Sequence, residues 1–340
     1  MLTGDPADYG QTVIAGPIRC ARPNRVTKLM ETILHLGAHR TATSSFQAYL
    51  MAHRPYLLEN RVAYWGPSRT RKGLLTGVAD RPRNAYDARR SAGRVQMNLA
   101  SARRGQSEVV LVSDENMMGS ARVNYRRGSL YSDAGERMAR ICHAFHPVRR
   151  IILQIRSIDH WWCSAMGSLI PRGEPMPDLL SLDAIVRHPR SWRHVIADIA
   201  CACPEAELIV VPFERFGGRP DRVAELALGR DDAPAASSTD FWYNRGPDKT
   251  QLCRSLERRG EDVSDFPTGE GRWSPFNDTQ TAAMRETYAD DLFWLQAGAE
   301  GLAKFREEPD PARPEDNLAA GQQQRGHEDE RSAEKLARSG

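Results

Sequence analysis

Runs of apolar residues alternate with amphipathic stretches along most of the chain. Four runs, 32–36, 108–113, 150–155 and 207–212, are apolar without strict alternation, and a weaker one covers 62–65. Continuous apolar character suits parallel strands covered on both faces, since a half-exposed strand would alternate. Between the runs, apolar positions recur at helical spacing over 44–53, 135–145, 160–169, 192–201, 220–228, 248–259 and 278–304. The last stretch follows Asn277, sets Gln280 three residues on as a capping pair, and continues through Leu292, Leu295, Ala299 and Leu302. Strands separated by helices predict an α/β fold. The expected form is a three-layer sandwich around a central parallel sheet of about four to five strands, with right-handed crossovers. Ligands of such sheets collect beyond the carboxyl ends of the strands. Residues 1–30 lack periodicity and read as a loose arm, and 31–305 read as the folded domain. From 306 the chain turns to Glu, Pro, Gln, Gly and Arg with no apolar face, which predicts a disordered tail.

Composition narrows the class only slightly. Hydrophobic residues make up 40% of the chain and the net charge is +3, values ordinary for a globular protein with no commitment to nucleic acid. No apolar run approaches the ~20 residues that span a bilayer. No basic-then-apolar leader opens the chain, so a soluble, cytoplasmic protein is expected. Cys20, Cys142, Cys163, Cys201, Cys203 and Cys253 form no CxxC pair, and reduced thiols are the expectation. Charge is uneven, however. Between Trp65 and Gln106 ten Arg and Lys residues face only Asp80 and Asp87. That segment reads as a partly helical solvated surface or as a positive rim for an anion.

The most informative segment runs Thr32-Ile33-Leu34-His35-Leu36-Gly37-Ala38-His39-Arg40-Thr41-Ala42-Thr43-Ser44-Ser45-Phe46-Gln47. It reads as strand, short polar loop and helix. A helix N-terminus offers unpaired N–H groups and a positive dipole end, and here hydroxyls and a cation surround it. A phosphate or sulfate fits such a cup; an ordinary turn capped by Thr41 or Thr43 is the plainer alternative. The nucleoside-triphosphate loop GxxxxGK[ST] is not satisfied. Counted from Gly37, its second glycine is Ala42 and its lysine is Thr43, so only Ser44 fits. The segment resembles the 5′-phosphosulfate loop of sulfotransferases that use 3′-phosphoadenosine 5′-phosphosulfate (PAPS), of the bacterial form H-x-G-x-x-K-T-G-T-[ST]-S. That resemblance implies a P-loop-like sulfotransferase fold, PAPS as donor, and donor contacts from Gly37, Ala38, His39, Arg40, Thr41, Ala42, Thr43 and Ser44. Arg40 stands where the family has lysine, keeping the charge but unable to act as a proton donor. Ala42 stands for a glycine, which should close off positive φ there.

A second element lies in the same order. The apolar run 150–155 ends in Arg156, and Ser164 falls eight residues later in the following helix. Arg156 and Ser164 are similar to the ends of the family's 3′-phosphate element, Arg-x-x-x-Asp-x-x-x-Ser. The segment Gly269-Glu270-Gly271-Arg272-Trp273 is loosely similar to a late glycine-rich basic loop, which implies Arg272 at the same phosphate. A base for the acceptor hydroxyl or amine is sought at the end of run 108–113, where Ser113-Asp114-Glu115 is similar to the Ser-x-Glu of bacterial relatives. Alternation along the strand favours Glu115 over Asp114, with His39 as a further candidate. His143 and His146 lack a third ligand, so no metal is expected. Trp161, Trp162, Trp192, Trp242 and Trp273 read as packing before stacking platforms. The acceptor is expected to be a glycan, a lipid headgroup or a small metabolite, with no nucleic-acid partner. The alternatives are a nucleotide kinase of related fold, or a non-catalytic protein that binds anions or nucleic acid.

Overall fold

Thr32 to Leu36 are all buried. A strand with no solvent face must lie inside a sheet covered on both sides. The computed structural model, which describes residues 30–236, 241, 243, 246–264, 266–267, 269 and 271–307, places it there. Six strands, β1 (Glu31–Gly37), β2 (Val62–Trp65), β3 (Val109–Ser113), β4 (Val148–Ile155), β5 (Glu207–Pro212) and β6 (Lys304–Phe305), form one sheet. Their order is β2-β3-β1-β4-β5-β6, and every pair is parallel.

Alternation along the strands divides the core into two layers. Ile33, Leu111, Ile152 and Ile209 face the helices Thr43–Ala52 and Pro220–Leu228. Leu34, Val112, Ile151 and Val210 face the opposite layer, which includes the helices Ala85–Arg104, Ala134–Phe145, Ile158–Leu169, Trp192–Ala202 and Asp278–Gln296. The helix that leaves β1 therefore packs on one face, and those that follow β3 and β4 pack on the other. This divergence opens a crevice at the carboxyl ends of the central strands. One polar link crosses their middle. His35 Nδ1 lies 2.8 Å from Ser113 Oγ on β3, and its Nε2 lies 3.1 Å from Gln154 Oε1 on β4. Burial pushes the His35 imidazole down to about 4, so it is neutral at ordinary pH.

Several expectations need correction. The sheet has six strands because the chain returns after the last long helix as β6, a pair of residues too short to leave a pattern. That helix ends at Gln296, well short of 304, because Gly298, Ala299 and Glu300 take positive φ. Its start is as anticipated: Asn277 Oδ1 accepts from the Gln280 N–H at 2.8 Å, and the Gln280 side chain accepts from the Asn277 N–H at 3.0 Å. Met30 is buried and does not belong to an arm, and the Arg306 N–H donates to Val210 at 3.0 Å, continuing the β6 edge past 305. Residues 1–29, the tail from 308 and Trp242 lie outside the described residues. Cys142 and Cys203 are not thiols. They are joined as a disulfide with Cα atoms 6.1 Å apart, because their two helices pack together. Sixty-one residues of separation gave no motif to read. Among the described residues, no helix is long and apolar enough to cross a membrane.

Candidate anion-binding cleft

The loop after β1 is braced by its own side chains. Gly37 has φ +63, and a Cβ there would fall 2.1 Å from Thr43 Oγ1, so only glycine allows this turn. Thr41 Oγ1 donates to the Ala38 carbonyl at 2.8 Å and accepts from the Ala38 N–H at 2.9 Å. Thr43 Oγ1 donates to the same carbonyl at 3.0 Å. Gly37, Ala38 and Thr41 therefore build the loop, and Arg40, Ala42, Thr43 and Ser44 line the cleft in front of it. The helix Thr43–Ala52 has Ala42 as its N-cap and no side-chain cap, so neither Thr41 nor Thr43 caps the turn. Its first N–H groups and its positive end point at the cleft without a capping oxygen. Ala42 itself takes φ 62 and Arg40 φ 66, which corrects the expectation that alanine closes off this region. Each left-handed non-glycine residue costs about 1–2 kcal/mol, held here by the surrounding brace.

The second element meets the first directly. Arg156, just past the end of β4, is 5% exposed and donates from Nη1 to the Arg40 carbonyl at 2.9 Å. Arg40 Nε in turn donates to Ser164 Oγ at 2.9 Å. The Arg156 carbonyl accepts from Trp192 Nε1 at 2.7 Å, and its guanidinium stacks 4.5 Å over the Phe213 ring. Its Nε is buried and has no protein partner. Asp159 stands one position before the aspartate of the family element. Its carboxylate is used within the protein, accepting from Ser157 Oγ and from Arg285 Nε at 2.8 Å. Arg272 and Arg172 line the same cleft. Burial, then Arg172 and Arg272, pushes Arg40 down to about 10. Burial, then Arg272, and more weakly Arg40, does the same to Arg156, while Glu214 acts against the shift. Both stay charged near neutral pH. Guanidiniums that crowd one another in this way create a positive potential that favours an anion in the cleft.

The opposite wall carries carboxylates. Asp114 is buried and turned away from the cleft: it binds Thr70 Oγ1, accepts from Arg71 Nη2 at 2.7 Å, and accepts from the Asn116 N–H at 3.0 Å. Glu115 lines the cleft, with Arg71 Nη2 at 2.8 Å and Gln47 Nε2 at 3.3 Å from its carboxylate. Burial pushes this carboxyl up, but His39 and Arg71 outweigh it and hold the group below its usual range. Glu115 is thus ionised, and a weaker base than an isolated carboxylate. His39 also lines the cleft, its Nδ1 2.8 Å from the Tyr131 hydroxyl and its Nε2 3.1 Å from the Asn116 side-chain amide. Burial lowers its imidazole, and Glu115 acts against that shift.

The two walls enclose about 370 Å³. No protein-family model matches the chain, and no curated protein does. The cleft must therefore be read from its own residues. Those missed from sequence include Gln47, Arg71, Arg172, Phe213, Tyr243 and Gly246. Arg71 carried a partial signal, since it belongs to the arginine-rich segment. Much of the rest of that segment forms the helix Ala85–Arg104, which buries Ser91, Val95 and Leu99 and exposes several of its arginines. Arg172 carried none, because nothing local marks a turn that will face a distant loop. Among the described residues, no group of three or more His, Cys, Asp or Glu side chains is placed to hold a metal ion.

Proposed function

We propose that the chain is a sulfotransferase that moves a sulfuryl group from PAPS to a hydroxyl or amine. One observation carries this reading. The loop after β1 and the Arg156–Ser164 element are bonded to each other across the floor of one arginine-lined cleft. A donor with phosphate at both ends of a nucleoside needs two anion sites at a fixed separation, and a nucleotide lacking the 3′-phosphate needs only one. The residues fit such a ligand. The helix Thr43–Ala52 lacks a side-chain cap, and the buried Arg156 Nε lacks a protein acceptor. A nucleoside-triphosphate loop is less well served, because the hydroxyl at its lysine position, on Thr43, is turned onto Ala38.

PAPS supplies a sulfuryl group whose bridging S–O bond breaks as the acceptor oxygen or nitrogen bonds to sulfur. The Arg40 guanidinium and the first N–H groups of the helix would neutralise the charge that gathers on the leaving phosphate. Arg156, Ser164 and Arg272 would hold the 3′-phosphate and set the register of the nucleotide. Glu115, ionised across the cleft, would take the acceptor's proton, and Arg71 and Gln47 keep its carboxylate in place. Calorimetry with EDTA present tests the donor half. We expect 3′,5′-ADP to bind far more tightly than AMP, and equal affinities would remove the basis for a 3′-phosphate site.

A further inference from the structure

The cations of the cleft do not all belong to the two motifs. Arg40 and Arg156 are bound to one another and to Ser164. Arg172 arrives separately, on the 3-10 turn Ile170–Arg172 that continues the helix Ile158–Leu169. Its side chain lines the cleft, it is exposed, and among the described residues no carboxylate pairs with it. The charge it acts on is a like one, the Arg40 guanidinium.

An exposed arginine alone carries no message, but this one is mounted. Three other arginines hold its turn. Glu174, with 4% of its side chain exposed, receives Arg122 at 2.9 Å and Arg126 at 3.0 Å. Arg259 Nη1 donates to the Ile170 carbonyl, and to that of Glu174 at 3.2 Å. Arg122 also reaches the Arg172 carbonyl at 3.4 Å. The helix Ala121–Arg127 thus abuts the turn, and Ala121 lines the same cleft. Arg172 thus shares the cleft with Arg40, on which its charge acts, and with Glu115, and an acceptor must enter through the space that they line. Glu174 and its arginine partners fix the backbone of the turn, and with it the place from which Arg172 reaches the cleft.

We infer that the acceptor bears an oxyanion, a carboxylate or a phosphate, which Arg172 receives at the mouth of the cleft. This rests on the sulfotransferase reading, and its test separates the two. Two matched pairs, glucose with glucuronate and glycerol with glycerol 3-phosphate, are titrated by calorimetry into wild type, Arg172→Gln and Arg172→Lys, with and without saturating 3′,5′-ADP. With nucleotide bound, the anionic member should bind about tenfold more tightly than its neutral partner, as one charge-assisted contact provides. Arg172→Gln should erase that preference and Arg172→Lys should restore most of it. Equal or undetectable binding of both members to the wild type would overturn the inference. So would a preference that survives in Arg172→Gln, or a PAPS affinity that falls in that variant, which would assign Arg172 to the donor. Failure of 3′,5′-ADP to bind any of the three proteins would instead sink the donor reading, and the nucleotide-free titrations would still test Arg172.

Discussion

The wall of the cleft built by the loop after β1 is continuous in sequence and held mainly from within, whereas the carboxylate wall is collected from separate segments and held by long side chains. On the loop wall, Ala38, Thr41 and Thr43 close a short ring of bonds, all within six residues. On the carboxylate wall, Glu115 depends on Arg71 from the turn Thr70–Leu74 and on Gln47 from another helix, and Arg172 depends on Arg122, Arg126 and Arg259. A wall made of one segment presents a fixed pattern of N–H groups and suits a ligand that never changes. A wall made of contributions from many segments can be altered one side chain at a time and suits the variable partner. This division is what a group-transfer enzyme with a common donor and a particular acceptor requires.

The largest effect expected is on turnover, at the carboxylate wall. Glu115→Gln keeps the shape and the Gln47 contact but cannot take a proton, so turnover should fall roughly 10²–10⁴-fold while 3′,5′-ADP affinity stays nearly unchanged. The sign of the pH dependence follows from the environment. A base must be deprotonated to act, and His39 and Arg71 hold this carboxyl below its usual range. The acid limb of the wild-type profile should therefore lie below the ordinary glutamate range, near pH 4.3 in unperturbed peptides, and should vanish in the variant. Near-normal turnover with the limb intact would move the base to His39, the next titratable group in the cleft.

On the donor side, where Arg156 from the end of β4 meets the loop, the expected loss is in binding. Arg156→Ala should weaken 3′,5′-ADP by about 2–4 kcal/mol, since it removes charge-assisted contacts from a desolvated site. The fold should persist, because Arg156 follows the last residue of β4 and its carbonyl contact to Trp192 does not depend on the side chain. A folded variant with unchanged affinity would show that Arg156 does only structural work, through the Arg40 carbonyl. The two variants together sharpen the division: one should change the rate and spare the donor, the other should change the donor.

How much of this was legible followed the same division. The five longer strands were visible because burial on both faces writes continuous apolar runs. The loop was visible because its bonds span so few residues. β6 and the Cys142–Cys203 disulfide left no local trace. Each is made by segments that are far apart in the chain and meet only in the fold. The same holds for Arg172, and for His35, whose polar partners sit on neighbouring strands. Thr41 and Thr43 were visible, and the structure adds a bracing role for their hydroxyls. Hydroxyls beside a helix N-terminus look like ligands in a sequence, yet here both donate to Ala38.

The smallest predicted effect concerns the residue where the loop departs most from its resemblance. Ala42 takes φ 62 and ψ 22, a conformation that costs an L-residue about 1–2 kcal/mol and costs glycine nothing. Replacing it with glycine removes that strain but gives the unfolded chain more freedom, an opposing cost of about 0.5–1 kcal/mol. The difference leaves Ala42→Gly neutral to about 1.5 kcal/mol more stable, read as the change in urea midpoint at constant slope. Removing the methyl group also clears the mouth of the loop, where Ala42 lines the cleft, so 3′,5′-ADP affinity should hold or improve slightly. Ala42→Val gives the opposite test, because a β-branched side chain in the left-handed region adds strain, and both stability and affinity should fall. A glycine variant clearly less stable than wild type would mean that Ala42 is not strained. The loop would then owe its shape to contacts of that methyl group rather than to the brace on Ala38.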